Sequence, residues 1–150
     1  MAQSLARLHF HVVFSTRERQ PFLHERVRAT LHAYIAKVLQ NLGCRPVLIN
    51  SVEDHVHILV DLARTVSVSQ VLEDIKKSSS KWIKSQGVEF AGFAWQGGYG
   101  AFAVSESQID AVHAYFANQR QHHGNVAFQD EYRILLRDES VDYNEQYLWD

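Results

Sequence analysis

An α+β fold with elements in the order β-α-β-β-α-β is what this sequence predicts, and three patterns predict it. Residues 8–15 alternate apolar and polar at period two. Apolar residues from Val27 to Leu42 recur at helical spacing and stop at Gly43. Two more strand-like runs, 46–52 and 55–62, are separated only by Glu53 and Asp54, too short a gap for anything but a turn.

Each element follows from its residues. In the first strand Leu8, Phe10, Val12 and Phe14 share one face and His9 and His11 the other. Thr16 to Phe22 is polar and holds Pro21, so it is a loop. Val27, Leu31, Tyr34, Ile35, Val38 and Leu42 define an amphipathic helix over about 24–41. In the strand 55–62, Val56, Ile58, Val60 and Leu62 face the core, and His55 and His57 point the opposite way. Val68, Val71, Leu72, Ile75, Trp82 and Ile83 suit a helix over about 67–85, ended by Gly87. A fourth strand, 99–104, follows the glycine-rich Gln96-Gly97-Gly98-Tyr99-Gly100. Ser105 and Gln108 fit a capping box and open a further helix to about His122, with Ile109, Val112 and Phe116 on its buried stripe. A weaker helical pattern occupies 127–137. The order is that of the ferredoxin-like split βαβ sheet, with an additional C-terminal helix. The first and third strands should be central neighbours, two helices should cover their apolar faces, and helix 105–122 should cover part of the histidine face.

Composition bounds the function. The 150 residues suit one domain, with a core over about 5–123 and a tail over 124–150. Hydrophobic residues at 46% and charged residues at 21% exclude a disordered chain. No apolar run reaches the ~20 residues of a membrane span, and no signal peptide is expected before Leu5. Cys44 is the single cysteine, which excludes a disulfide within the chain and a cysteine zinc cage, so a cytoplasmic setting is expected. The net charge of −2 hides an asymmetry. Residues 1–104 carry 12 basic and 8 acidic side chains, whereas 105–150 carry 3 and 9. A basic surface for nucleic acid is therefore compatible with an acidic total.

Three constellations could carry chemistry. His55-Val56-His57 places two imidazoles on one face of a strand, about 7 Å apart at Cβ, where they can grip one metal ion. The same spacing also suits two surface or packing histidines, and His9-Phe10-His11 repeats it. Tyr115 and Gln119 are i and i+4 on a helix, with His122 extending the stripe. Gln119 could supply a third ligand oxygen and Tyr115 a hydroxyl beside the ion; a boundary tyrosine and a solvated glutamine are the alternative. Lys77, Lys81 and Lys84 form one helical stripe, with Lys76 beside it and Ser78-Ser79-Ser80 interleaved. With Arg17, Arg19 and Arg45 these residues make a phosphate track or a solvated helix face. Asp54, out of phase with His55, is expected to cap the turn. Asp61, in phase with the histidines, is expected in their surroundings. His9 and His11 are given no ligand role.

The ordered set of motifs resembles the single-tyrosine HUH transposases. This family includes the enzymes of the simplest bacterial insertion sequences and those associated with repetitive extragenic palindromes. The matching stretches are Leu8-His9-Phe10-His11-Val12-Val13-Phe14-Ser15-Thr16 with Arg19, and Ser51-Val52-Glu53-Asp54-His55-Val56-His57-Ile58-Leu59-Val60. Lys76-Lys77-Ser78-Ser79-Ser80, Trp95-Gln96-Gly97-Gly98-Tyr99-Gly100-Ala101-Phe102 and Tyr115-Phe116-Ala117-Asn118-Gln119 with His122-His123 come next in the same order. The resemblance spans about 8–130. It implies that His55, His57 and Gln119 bind a divalent ion, Mg²⁺ or Mn²⁺, and that Tyr115 is the nucleophile. It also implies single-stranded or hairpin DNA as substrate and a homodimer as the working form. No second tyrosine follows Tyr115 within a turn or two, which fits the single-tyrosine branch.

That chemistry suits these residue types. A phenol with a pKa near ~10 is a weak nucleophile at neutral pH until it loses its proton or the phosphorus is made more electrophilic. A divalent ion supplies the second of these. Exchange of one phosphodiester for another is nearly energy-neutral and needs no nucleoside triphosphate, and the sequence has no Walker-type loop. Two other functions use the same residues: a non-catalytic nucleic-acid-binding module, and a zinc hydrolase built on His55, His57 and His122 with water as nucleophile.

Overall fold

Of the 150 residues, the computed structural model describes 2–105, 108 and 109. Four strands and two long helices appear in the expected order: β1 (His9–Ser15), α1 (Glu25–Asn41), β2 (Arg45–Ser51), β3 (His55–Asp61), α2 (Val68–Lys84) and β4 (Gly100–Ala103). The strands form one sheet in the order β2-β3-β1-β4, with every neighbouring pair antiparallel. This is the split βαβ arrangement, and β1 and β3 are the central neighbours.

The sheet sorts its side chains as the alternation dictates. Phe10, Val12 and Phe14 of β1 and Val56, Ile58 and Val60 of β3 point to the helices. They pack with Leu31, Ile35 and Leu39 of α1 and with Val71, Leu72, Ile75 and Ile83 of α2. Trp82 packs where the helices meet, its ring stacked on Tyr34 at 5.7 Å. The opposite face of β1 and β3 carries His9, His11, Val13, His55, His57 and Leu59, all of them buried.

Local chemistry sets the ends of the helices. Ser67 accepts a bond from the Gln70 amide at 3.1 Å and so caps α2. α1 ends in a left-handed glycine, Gly43, at φ 81°. The Cys44 amide reaches back to the Leu39 carbonyl and the Gly43 amide to Gln40, the paired bonds of a Schellman ending. Gln108 Oε1 accepts from the Ser105 amide at 3.1 Å, which is one half of the expected capping box. The rest of the expected helix 105–122, and the segment 127–137, lie outside the described residues. Among those described, no helix is long and apolar enough to cross a membrane.

Candidate metal centre and nucleic-acid face

The turn between β2 and β3 is held from several directions, and this fixes the start of β3. The Thr16 amide donates to the Asp54 carbonyl at 2.9 Å, and the Leu23 amide donates to the Glu53 carbonyl at 2.9 Å. Arg28, anchored on the Leu23 carbonyl, bonds Glu53 Oε1 at 3.0 Å. In this frame the Asp54 side chain folds onto His55, with Oδ1 at 2.7 Å from Nδ1. The expectation that Asp54 merely caps the turn is corrected here. Strand phase does not govern a residue that precedes the strand, so the carboxylate can turn toward its neighbour's ring.

His55 and His57 project from one face of β3 and are 0% and 1% exposed. Their rings lie edge to face with centroids 5.1 Å apart. His57 Nδ1 meets His11 Nε2 at 2.9 Å. In the register His11 stands opposite Leu59, so it reaches His57 along the diagonal between neighbouring strands. Both candidate ligands therefore have their δ nitrogen engaged, one by a carboxylate and one by an imidazole. An engaged Nδ1–H makes Nε2 the ligating atom. This donor chemistry fits a divalent ion held through two Nε2 atoms. Among the described residues no third His, Cys, Asp or Glu joins them to complete a ligand set.

Asp61 stands away from this pair. It accepts from the Leu8 amide at 3.1 Å and pairs with Arg45 at 3.5 Å and Arg7 at 3.7 Å. Arg45 also approaches His9 Nε2 at 3.4 Å. The expected place of Asp61 near the histidine pair is thus corrected: two arginines hold it at the far end of β3.

Burial keeps several histidines neutral. It pulls His11 from an ordinary 6.5 down to about 4. It also lowers His55, against the opposing pull of Asp54 and Glu53. His32, bonded to Ser51 Oγ at 2.6 Å, is lowered by burial and by the Arg28 charge. The unfolded chain takes up these protons near pH 6.5, and the folded chain resists them. Stability is therefore full above about pH 6.5 and drains as pH falls toward 4. Urea midpoints of the metal-free protein should drop steadily between pH 7 and 4.5, and more gently in His32→Gln. A midpoint that does not move over this range would contradict the assignment.

The basic residues divide into two groups. Lys77, Lys81 and Lys84 are exposed along α2, as are Arg17 and Arg19 in the short turn after β1. That turn puts Glu18 and Arg19, neither of them glycine, at φ 55° and 56°. Such left-handed residues cost about 1–2 kcal/mol each. Thr16 Oγ1 donates to the Gln20 carbonyl at 2.6 Å, and the Arg17 amide to the Ala94 carbonyl at 2.8 Å, bonds that hold the turn in place. Lys76 faces inward instead. Its ammonium donates to the carbonyls of Gln96 at 2.9 Å and Gly98 at 2.6 Å, above the rings of Phe14 and Tyr99. Burial brings it from 10.5 to about 8. Lys76, expected to bind phosphate beside Lys77, Lys81 and Lys84, holds the glycine-rich segment through these two bonds.

Sequence reasoning passes over Gln96. It is 2% exposed and clamps the end of β1, its side-chain Oε1 accepting from the Ser15 backbone amide at 2.7 Å and its backbone amide donating to the Ser15 carbonyl at 2.9 Å. With Lys76, Lys77, Ser80, Gly97 and Tyr99 it lines an open cleft of about 460 Å³. The one signal in the sequence is its place before two glycines, which points to the loop and not to the side chain. Tyr115, Gln119 and His122 lie outside the described residues.

None of the curated proteins matches this sequence significantly. Among solved structures, a candidate transposase from Deinococcus radiodurans is similar over 79% of this chain and 98% of its own, at 20% identity and a TM-score of 0.62. A REP-associated tyrosine transposase bound to a REP hairpin is similar over 84% of this chain and 76% of its own, at 17% identity and a TM-score of 0.61. At such identities the likeness concerns the fold. The family assignment rests on the sequence itself: residues 4–119 match the model of IS200-like transposases. That stretch contains both candidate ligand histidines, Tyr115 and Gln119, and the chain belongs to the IS200-like transposase family.

Proposed function

We propose that this protein cuts and rejoins single-stranded DNA at hairpin ends through a 5′-phosphotyrosine formed on Tyr115. The observation that carries the proposal is the buried pair His55 and His57, each with its δ nitrogen engaged, on the central strand of a chain of this family. His55, His57 and Gln119 hold Mg²⁺ or Mn²⁺. An ion held there would supply Lewis acidity at the scissile phosphate. Mixed nitrogen and oxygen ligands favour Mn²⁺ by affinity, and Mg²⁺ by availability.

The Tyr115 oxygen loses its proton and forms a bond to phosphorus. The bond from phosphorus to the 3′ oxygen breaks, and that oxygen takes a proton to leave as a 3′-hydroxyl. A different 3′-hydroxyl reverses the exchange and joins new ends. Lys77, Lys81, Lys84, Arg17 and Arg19 contact phosphates along the strand. Lys76 joins them in contacting DNA, and its bonds to the carbonyls of Gln96 and Gly98 hold the segment 96–98 against α2. The working form is a homodimer in the cytoplasm, and the chemistry belongs to residues of about 5–123. The similarity to a transposase bound to a REP hairpin supports a hairpin substrate.

The test is incubation with single-stranded hairpin DNA and Mn²⁺, then a denaturing gel. A slow band sensitive to protease supports the proposal. Cleavage without such a band points to water as nucleophile, as the zinc-hydrolase alternative requires. Hairpin binding without cleavage points to a non-catalytic module.

A further inference from the structure

The geometry points to His11 as a positioning residue that fixes the tautomer of His57 and thereby makes it a metal ligand. The inference rests on the proposed metal site. His11 belongs to β1 and not to the ligand strand. It lies 5% exposed in the same layer of side chains. Its Nε2 is 2.9 Å from His57 Nδ1. The ring planes differ by 24° and the centroids are 5.1 Å apart. Nitrogens 2.9 Å apart on rings so far separated mean that the rings meet end to end, with a lone pair near the plane of its donor.

Tautomer logic gives the contact its direction. A neutral imidazole carries one proton. If His57 ligates through Nε2, its proton sits on Nδ1 and must be donated. His11 Nε2 is within reach of that proton, so in this direction His11 accepts there and carries its own proton on Nδ1. The opposite direction would put the His57 proton on Nε2 and block the ligand lone pair. His55 is held by a carboxylate, which cannot donate when ionised, so its tautomer needs no comparable arrangement. The two ligands are thus oriented by different chemistry, Asp54 for one and His11 for the other.

Two substitutions separate positioning from packing. His11→Phe keeps a ring of similar size and removes the acceptor. His11→Gln restores an acceptor oxygen close to the place of Nε2. Mn²⁺ affinity is measured by calorimetry on variants whose circular dichroism matches wild type. Nitrogen-15 spectra of the metal-free proteins report the His57 tautomer. Phe is expected to weaken Mn²⁺ binding about 10- to 100-fold and to move the His57 proton toward Nε2, and Gln should restore both. Unchanged affinity and an unchanged His57 tautomer in His11→Phe would overturn the inference. So would a loss that Gln fails to repair. His57→Ala separates this failure from that of the metal site. If His57→Ala loses Mn²⁺ while His11→Phe keeps it, the metal site stands and the role of His11 falls. If His57→Ala binds Mn²⁺ as wild type does, the metal site falls and the inference with it.

Discussion

Tyr115→Phe is expected to abolish the covalent protein–DNA species while hairpin binding stays within a few-fold of wild type. The substitution removes one oxygen and leaves the ring, so the apolar body of the side chain is unchanged. A hydroxyl hydrogen bond contributes only about 1 kcal/mol, too little to decide the affinity for a polyanion. Its chemical loss is far larger. Without the oxygen no phosphodiester can pass to the protein, and cleavage should fall by about four orders of magnitude or more, the scale on which nucleophile deletions act. A denaturing gel reads the adduct, and a native gel-shift titration at fixed salt reads the binding. Full cleavage by the Phe variant would remove Tyr115 from the mechanism. Equal loss of binding and cleavage would make it a structural residue of the DNA surface.

The fold is legible because hydrophobic period is a strong signal in a sheet with helices on one side. Phe10, Val12 and Phe14 alternate with His9, His11 and Ser15, and the pattern locates β1 to within a residue. Gly43 marks the end of α1 because a left-handed residue is needed there. The pairing of His55 with His57 is visible for the same reason, since i and i+2 share a face. The surroundings of the pair are not. The His11–His57 contact depends on strand register, which places His11 diagonally from His57 and opposite Leu59. No count along one strand supplies that offset. Asp54 escapes a phase argument because it stands in a turn, where strand alternation has not begun. Lys76 follows Ile75 and precedes Ser79 by three, so it stands at the border of the buried stripe of α2. At a border, a helical wheel cannot say whether a long side chain reaches solvent or folds onto a neighbouring carbonyl. Glu18 and Arg19 take left-handed backbone with no glycine to announce it. Contacts from Thr16 to Gln20 and from Arg17 to Ala94 hold the turn instead, and the second of these spans most of the domain in sequence.

Changes at the proposed metal centre should form a graded series. His57→Ala deletes a proposed ligand and is expected to reduce cleavage about a thousandfold or more, with Mn²⁺ binding lost by calorimetry. Asp54→Asn leaves both proposed ligands in place and keeps an oxygen near His55 Nδ1, but removes the negative charge that strengthens His55 as a donor. Its cost should be smaller, about 10- to 100-fold in metal affinity. Excess Mn²⁺ should therefore recover much of the cleavage in Asp54→Asn and none in His57→Ala. Chelation of wild type with EDTA should stop cleavage, and added Mn²⁺ should restart it. Hairpin binding at fixed salt should change little in either variant, because counterion release at lysines and arginines dominates it. The difference in metal rescue is the informative measurement. A defect of folding would not yield to Mn²⁺ in one variant and resist it in the other. A charge that merely attracts DNA would show itself in the binding titration. Should Asp54→Asn resist rescue as completely as His57→Ala, the carboxylate would have to act on substrate or metal itself, and its assignment as the support of His55 would fail.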